Sequence, residues 1–153
     1  MKSLLALLAF IAPAAALAAG DVSLASDVFV ERISQDAQGK TKVTLDPPAI
    51  VTPGDRLVFQ LTYRNGGAQP ATGFEVTNPV PASIVFTGVE DASARVSVDG
   101  GKSWGALAAL KVALPDGATR PAAAADVTHI RWSFAQPIPA GQAGKLSFRG
   151  IVK

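Results

Sequence analysis

The chain has 153 residues, 48% of them hydrophobic and 17% charged, with 14 basic against 12 acidic side chains, a single His and no Cys. That length makes one domain with room for a core, and the near-balanced charge argues against a nucleic-acid or polyanion surface. The lack of Cys excludes a disulfide scaffold, a thiolate metal site, a Cys nucleophile and a lipidated Cys, and one His excludes multi-His metal sites and most His-based catalysis.

Residues 1–18 read as an export signal. Lys2 supplies a short positive start, residues 4–12 are almost wholly apolar, and Ala16, Leu17 and Ala18 form a small-x-small cleavage site. The apolar run is shorter than the ~20 residues that span a bilayer, and Pro13 breaks it. Cleavage after Ala18 or Ala19 would leave a mature chain of roughly 135 residues, soluble and either periplasmic or extracellular.

The rest reads as strands divided by turns. An N-terminal strand segment of the mature chain, residues 19–46, has strand character at Val28, Phe29 and Val30 and again at Val43 and Leu45, with a turn at Gln38-Gly39-Lys40 between them. After the turn Pro53-Gly54-Asp55, residues 56–64 put Leu57, Phe59, Leu61 and Tyr63 on one face. Asn65-Gly66-Gly67 turns the chain into a strand carrying Phe74 and Val76. Pro79-Val80-Pro81 ends that strand, and the pairs Ile84/Phe86 and Val96/Val98 mark two more. Residues 122–125 read as a loop; Ile130, Trp132 and Phe134 then alternate inward, and beyond Pro139-Ala140-Gly141 so do Leu146 and Phe148. Short alternating strands with one polar face indicate an all-β chain of antiparallel sheets. The expectation is an immunoglobulin-like Greek-key β-sandwich of about seven to nine strands over residues 47–153, following the signal-peptide helix. Its inter-sheet core would be Phe59, Leu61, Tyr63, Phe74, Ile130, Trp132, Phe134 and Phe148. A handful of such side chains, at roughly 1.5–3 kcal/mol each, can replace the absent disulfide, worth about 2–4 kcal/mol.

Residues 51–67, with their Pro-Gly and Asn-Gly turns around a strand, resemble the opening of the bacterial surface-repeat family called domain of unknown function eleven. Residues 70–81, ending Pro79-Val80-Pro81, and the closing Ile138-Pro139-Ala140-Gly141 continue the likeness. The resemblance implies an immunoglobulin-like fold in an exported or cell-surface protein, and no catalytic residues.

Ser97-x-Asp99-x-Gly101-x-x-Trp104 looks like an Asp-box, the hairpin motif of sialidases and other propellers. Its Asp bonds turn amides, its glycines take positive φ and its Trp packs under the turn. One copy cannot make a propeller, so the motif reads as a structural hairpin on Ser97, Asp99, Gly101 and Trp104.

Other chemistry-bearing residues have bland readings. His129 falls on the polar face of its strand, and no Gly-x-Ser-x-Gly elbow accompanies it. Glu90-Asp91 has the composition of a glycosidase pair, but adjacent carboxylates at a strand end are usually just solvated. Asp46, Asp55, Asp99 and Asp116 are candidate loop ligands for Ca²⁺ without EF-hand spacing. Gly100-Gly101-Lys102-Ser103 lacks the first glycine of a phosphate loop. The expectation is no catalytic, metal or cofactor-binding residue and no cofactor. The function expected is a non-catalytic structural or interaction module acting through loops or exposed sheet edges. Its partners would be another protein or a second copy joined by strand addition, with no nucleic acid and, after cleavage, no membrane. The alternative, resting on the Asp-box motif alone, is a small carbohydrate-binding or glycoside-processing protein.

Overall fold

The structure is a computed structural model and describes residues 21–153. The export signal read at residues 1–18 lies outside the described residues. The described chain is all-β, and every strand pairing in it is antiparallel.

The strands are β1 (Val22–Gln35), β2 (Thr41–Asp46), β3 (Arg56–Asn65), β4 (Glu75–Pro79), β5 (Ile84–Val89), β6 (Arg95–Ser97), β7 (Lys111–Ala113), β8 (Thr119–Pro121), β9 (His129–Ser133) and β10 (Ala143–Val152). Short 3-10 turns lie at Leu107–Ala109 and Ala124–Asp126. One sheet has five strands in the order β2-β1-β3-β10-β5, a second has three in the order β4-β9-β6, and β7 with β8 forms a two-stranded ribbon. The described residues thus form ten strands, eight of them within residues 47–153, in three sheets; the sandwich expected over 47–153 has seven to nine strands in two. The extra pair, β7–β8, turns at Pro115-Asp116-Gly117, and its strands are too short and too exposed to carry a legible alternation.

Side chains from the two larger sheets meet in one cluster. Leu57, Phe59, Leu61, Phe86, Leu146 and Phe148 come from the five-stranded sheet; Val76, Val96, Ile130 and Trp132 come from the three-stranded one. Phe59 and Phe148 are register partners on neighbouring strands, and their rings stack at 4.5 Å, 3° from parallel. Trp132 meets Phe148 from the other sheet at 6.5 Å. Tyr63, Phe74 and Phe134 are only half-buried and make a separate aromatic group at the rim of this core, with Tyr63 edge-on to Phe134 at 5.0 Å. The Tyr63 ring fills the space over its register partner Gly144, where any Cβ would collide with it.

β1 is the largest departure from the sequence reading. It runs 14 residues, far beyond Val28–Val30. Val22 to Val30 pair with β3, and Val30 to Gln35 pair with β2 on the opposite side. Val30, where the partner changes, is 2% exposed. Beyond it β1 and β2 leave the body of the sheet as a two-stranded arm, on which Ile33, Val43 and Leu45 are exposed.

Candidate functional site

The turn from Ser97 to Trp104 is closed at its base by backbone bonds in both directions between Val96 and Gly105. Asp99 organises it. Its Oδ1 accepts from the Lys102 and Ser103 amides at 3.0 and 2.9 Å and from the Ser97 hydroxyl at 2.7 Å, and its Oδ2 accepts from the Ser103 hydroxyl at 2.6 Å. The Ser103 hydroxyl and amide, then the Ser97 hydroxyl, hold the Asp99 carboxyl well below the usual carboxylate range. Ser97 is fully buried, and its Oγ also accepts from the Gly101 amide at 2.8 Å. Gly100 and Gly101 have φ of 78° and 88°, a region that a side chain disfavours.

Trp104 closes the underside. Its Nε1 donates to the Gly101 carbonyl at 3.0 Å, and the Arg131 guanidinium lies 3.9 Å from the ring centroid. Arg131 in turn binds Glu75 at 3.1 Å. His129 stands beside this group, 6.3 Å from the Trp104 ring, with its Nδ1 3.0 Å from the Thr128 hydroxyl. The four motif residues are therefore brought together, and their polar atoms bind one another.

The other candidate carboxylates named from the sequence are likewise engaged. Glu90 binds Arg149 at 2.8 Å, while Asp91 accepts from the Ser93 amide and hydroxyl, so the two adjacent acids serve separate structures. The Arg149 bond draws the Glu90 carboxyl below its usual range, opposite to what a general acid needs. Asp46 pairs with Arg32, Asp55 caps Thr52, and Asp116 accepts from the Ala118 amide. Among the described residues no three His, Cys, Asp or Glu side chains are grouped so as to hold a metal.

One charged cluster was not legible in the sequence. Glu31 of β1, its side chain 9% exposed, binds Arg56 of β3 at 3.0 Å and Arg149 of β10 at 3.1 Å. Arg149 extends the chain to Glu90, just past β5, so the cluster ties four strands across one face. Burial alone would raise the Glu31 carboxyl, but the bonds and charges of Arg149 and Arg56 outweigh it and lower it. Asn65 was also missed as more than a turn residue. It is 1% exposed; its Nδ2 donates to the carbonyls of Gln69 and Ile138, and its Oδ1 accepts from the Gly67 amide. It ties the 65–71 loop to the chain leading into β10.

Polar groups without partners lie elsewhere, along β1. The Gly66 amide donates to the Asp21 carbonyl, so by alternation Ser23, Ala25, Asp27 and Phe29 bond to β3. Val22, Leu24, Ser26 and Val28 then direct their N–H and C=O groups to the opposite edge. Among the described residues no strand pairs with that edge, because β2 pairs only from Val30 onward. Asp46 is followed by Pro47 and Pro48, which have no N–H to continue the ladder. A surface depression of about 800 Å³ lies between the start of β1 and the 67–75 loop; of its lining carboxylates, Glu75 is already bound to Arg131 and Ser133. Comparison of the chain with protein-family models, curated proteins and solved structures finds no match among any of them.

Proposed function

We propose that this is an exported, non-catalytic structural or interaction module, an immunoglobulin-like β-sandwich that works through an exposed sheet edge. One contrast carries the reading. The side chains that would perform chemistry are bonded to neighbours in the turn, the caps and the ion-pair cluster, while the outer edge of β1 offers a row of backbone donors and acceptors with no partner among the described residues. The facing of the two larger sheets across Trp132 and Phe148 favours the sandwich, as does the resemblance to the surface-repeat family. We read the Ser97–Trp104 turn as an Asp-box hairpin of structural purpose, since one face of its Trp104 is covered by Arg131 and its Asp99 accepts four hydrogen bonds from within the turn.

The test is site-specific photo-crosslinking in cells that export the full chain, with the crosslinker at Leu24 or Ser26, and at Lys102 for comparison. Protein adducts confined to Leu24 and Ser26, on a chain recovered outside the cytoplasm with residues 1–18 removed, support the reading. Absence of adducts at the edge overturns it. Binding on a glycan array that disappears in Asp99→Ala would replace it with the carbohydrate reading.

A further inference from the structure

The free edge of β1 is self-complementary. We propose that β1 pairs antiparallel with β1 of a second copy about a two-fold axis at Ala25, joining two five-stranded sheets into one. This rests on the sheet-edge reading above and names its partner.

The register follows from which residues face outward. A two-fold at Ala25 sets Val22 opposite the second copy's Val28, and Leu24 opposite its Ser26. These are the residues whose backbone groups point away from β3. Every outward group from Val22 to Val28 then finds a partner, giving about eight backbone hydrogen bonds. The same register sets Asp27, the one charged side chain from Val22 to Phe29, against Ser23. Centring on Asp27 would oppose two like charges, and centring on Leu24 would oppose Asp27 to Asp21. Centring on Ser26 would run Val22 into Val30, whose outer side β2 already occupies. Only the Ala25 axis uses the whole edge without a clash. Among the described residues the lane is open, because β2 stops at Asp46, opposite Val30, ahead of Pro47.

The edge also lacks the devices that keep sheet edges apart. From Val22 to Phe29 there is no Pro, no Lys or Arg, and no break in the register with β3. Leu24 is 47% exposed there. The opposite edge strand, β5, has only six residues; its ladder with β10 slips between Arg149 and Gly150, and the 3-10 turn at Ala124–Asp126 lies against it. Self-pairing is thus expected at β1 and not at β5.

The chain has no Cys, so one introduced thiol reports one contact. Ala25 would face its own copy as a pair without hydrogen bonds, with Cα atoms about 4.5 Å apart, within reach of a disulfide. The exported chain, recovered without its leader, is expected to sediment as a dimer. Oxidised Ala25→Cys is expected to form a covalent dimer and Ser23→Cys alone to form none; Ser23→Cys mixed with Asp27→Cys should form the mixed one. Leu24→Pro, which removes an outward N–H from each copy, is expected to weaken the dimer by about tenfold or more with unchanged circular dichroism. A chain that stays monomeric at every concentration and gives no Ala25→Cys disulfide overturns the proposal, whether or not Leu24→Pro folds. If the crosslinker at Leu24 then still captures a different protein in cells, the self-pairing is wrong and the sheet-edge reading stands.

Discussion

The Ser97–Trp104 turn and the outer edge of β1 are both polar and both reach the surface, yet they are opposites. In the turn, Asp99 takes up four donors and Ser97 and Trp104 bond within the same loop. Along β1, alternate residues from Val22 to Val28 direct backbone groups away from β3, with no partner among the described residues. A motif rich in polar residues is therefore a poor guide to a binding surface when its atoms already satisfy one another. An unremarkable run of Ser, Ala and Val is a better one when its partners are absent.

The largest expected effect tests whether the closed part of the molecule is also the stable part. Phe148 is fully buried against Phe59 and Trp132. Phe148→Ala should cost about 3–5 kcal/mol in urea unfolding. Ile33 on the β1–β2 arm is 57% exposed, and Ile33→Ala should change stability by no more than about 0.5 kcal/mol. Equal losses would mean that the arm belongs to the core after all. Next comes Ser97→Ala, which leaves the Gly101 amide without its acceptor beneath the turn. A loss of about 1–3 kcal/mol is expected, measured the same way.

Neighbouring residues on β1 sharpen the contrast further. The Ala25 N–H bonds to β3, opposite Thr62, whereas the Leu24 N–H points outward. Ala25→Pro should destabilise the fold by about 1–3 kcal/mol through the lost bond and the stranded carbonyl. Leu24→Pro should leave the monomer within about 0.5 kcal/mol. Similar losses for the two would overturn the assignment of inward and outward residues.

How far the sequence shows these features depends on how local each one is. β3, β9 and β10 alternate apolar and polar residues over a half-buried face, so Leu57, Phe59, Leu61, Trp132 and Phe148 are legible one strand at a time. The Ser97–Trp104 turn is legible because the side-chain hydrogen bonds of Ser97, Asp99 and Trp104 all span four residues or fewer. The length of β1 is not, since Ser23, Ala25, Ser26 and Asp27 are weak strand formers held in place by β3 rather than by propensity. The bond from Arg149 to Glu31 joins residues 118 apart, and no spacing announces it. The free edge is a property of topology. It exists because β2 leaves β1 at Val30, which only the sheet order reveals.

The smallest expected effect concerns acid, which should loosen the internally bonded regions in a definite order. Asp126 binds Arg120 through both carboxylate oxygens and accepts from the Ala123 amide at 2.8 Å. Those bonds, the Arg120 pair foremost, lower its carboxyl from 3.8 to about 2. A lowered carboxylate stabilises the fold fully above its ordinary pKa and loses that contribution as the pH falls through its folded value. The support from Asp126 should therefore persist at pH 4 and fade toward pH 2. The Ala123 amide resonance should titrate with a midpoint near 2 in an NMR pH series. Asp99 is held lower still, so the Lys102 and Ser103 amides should move only at more acid pH. Asp126→Asn should reduce the melting temperature slightly at neutral pH and make no difference once Asp126 is protonated. An Ala123 midpoint near 4, or Lys102 and Ser103 moving first, would show that these carboxylates are not engaged as described. The Ala25 amide, whose acceptor is the β3 backbone and not a carboxylate, should stay protected throughout the same series.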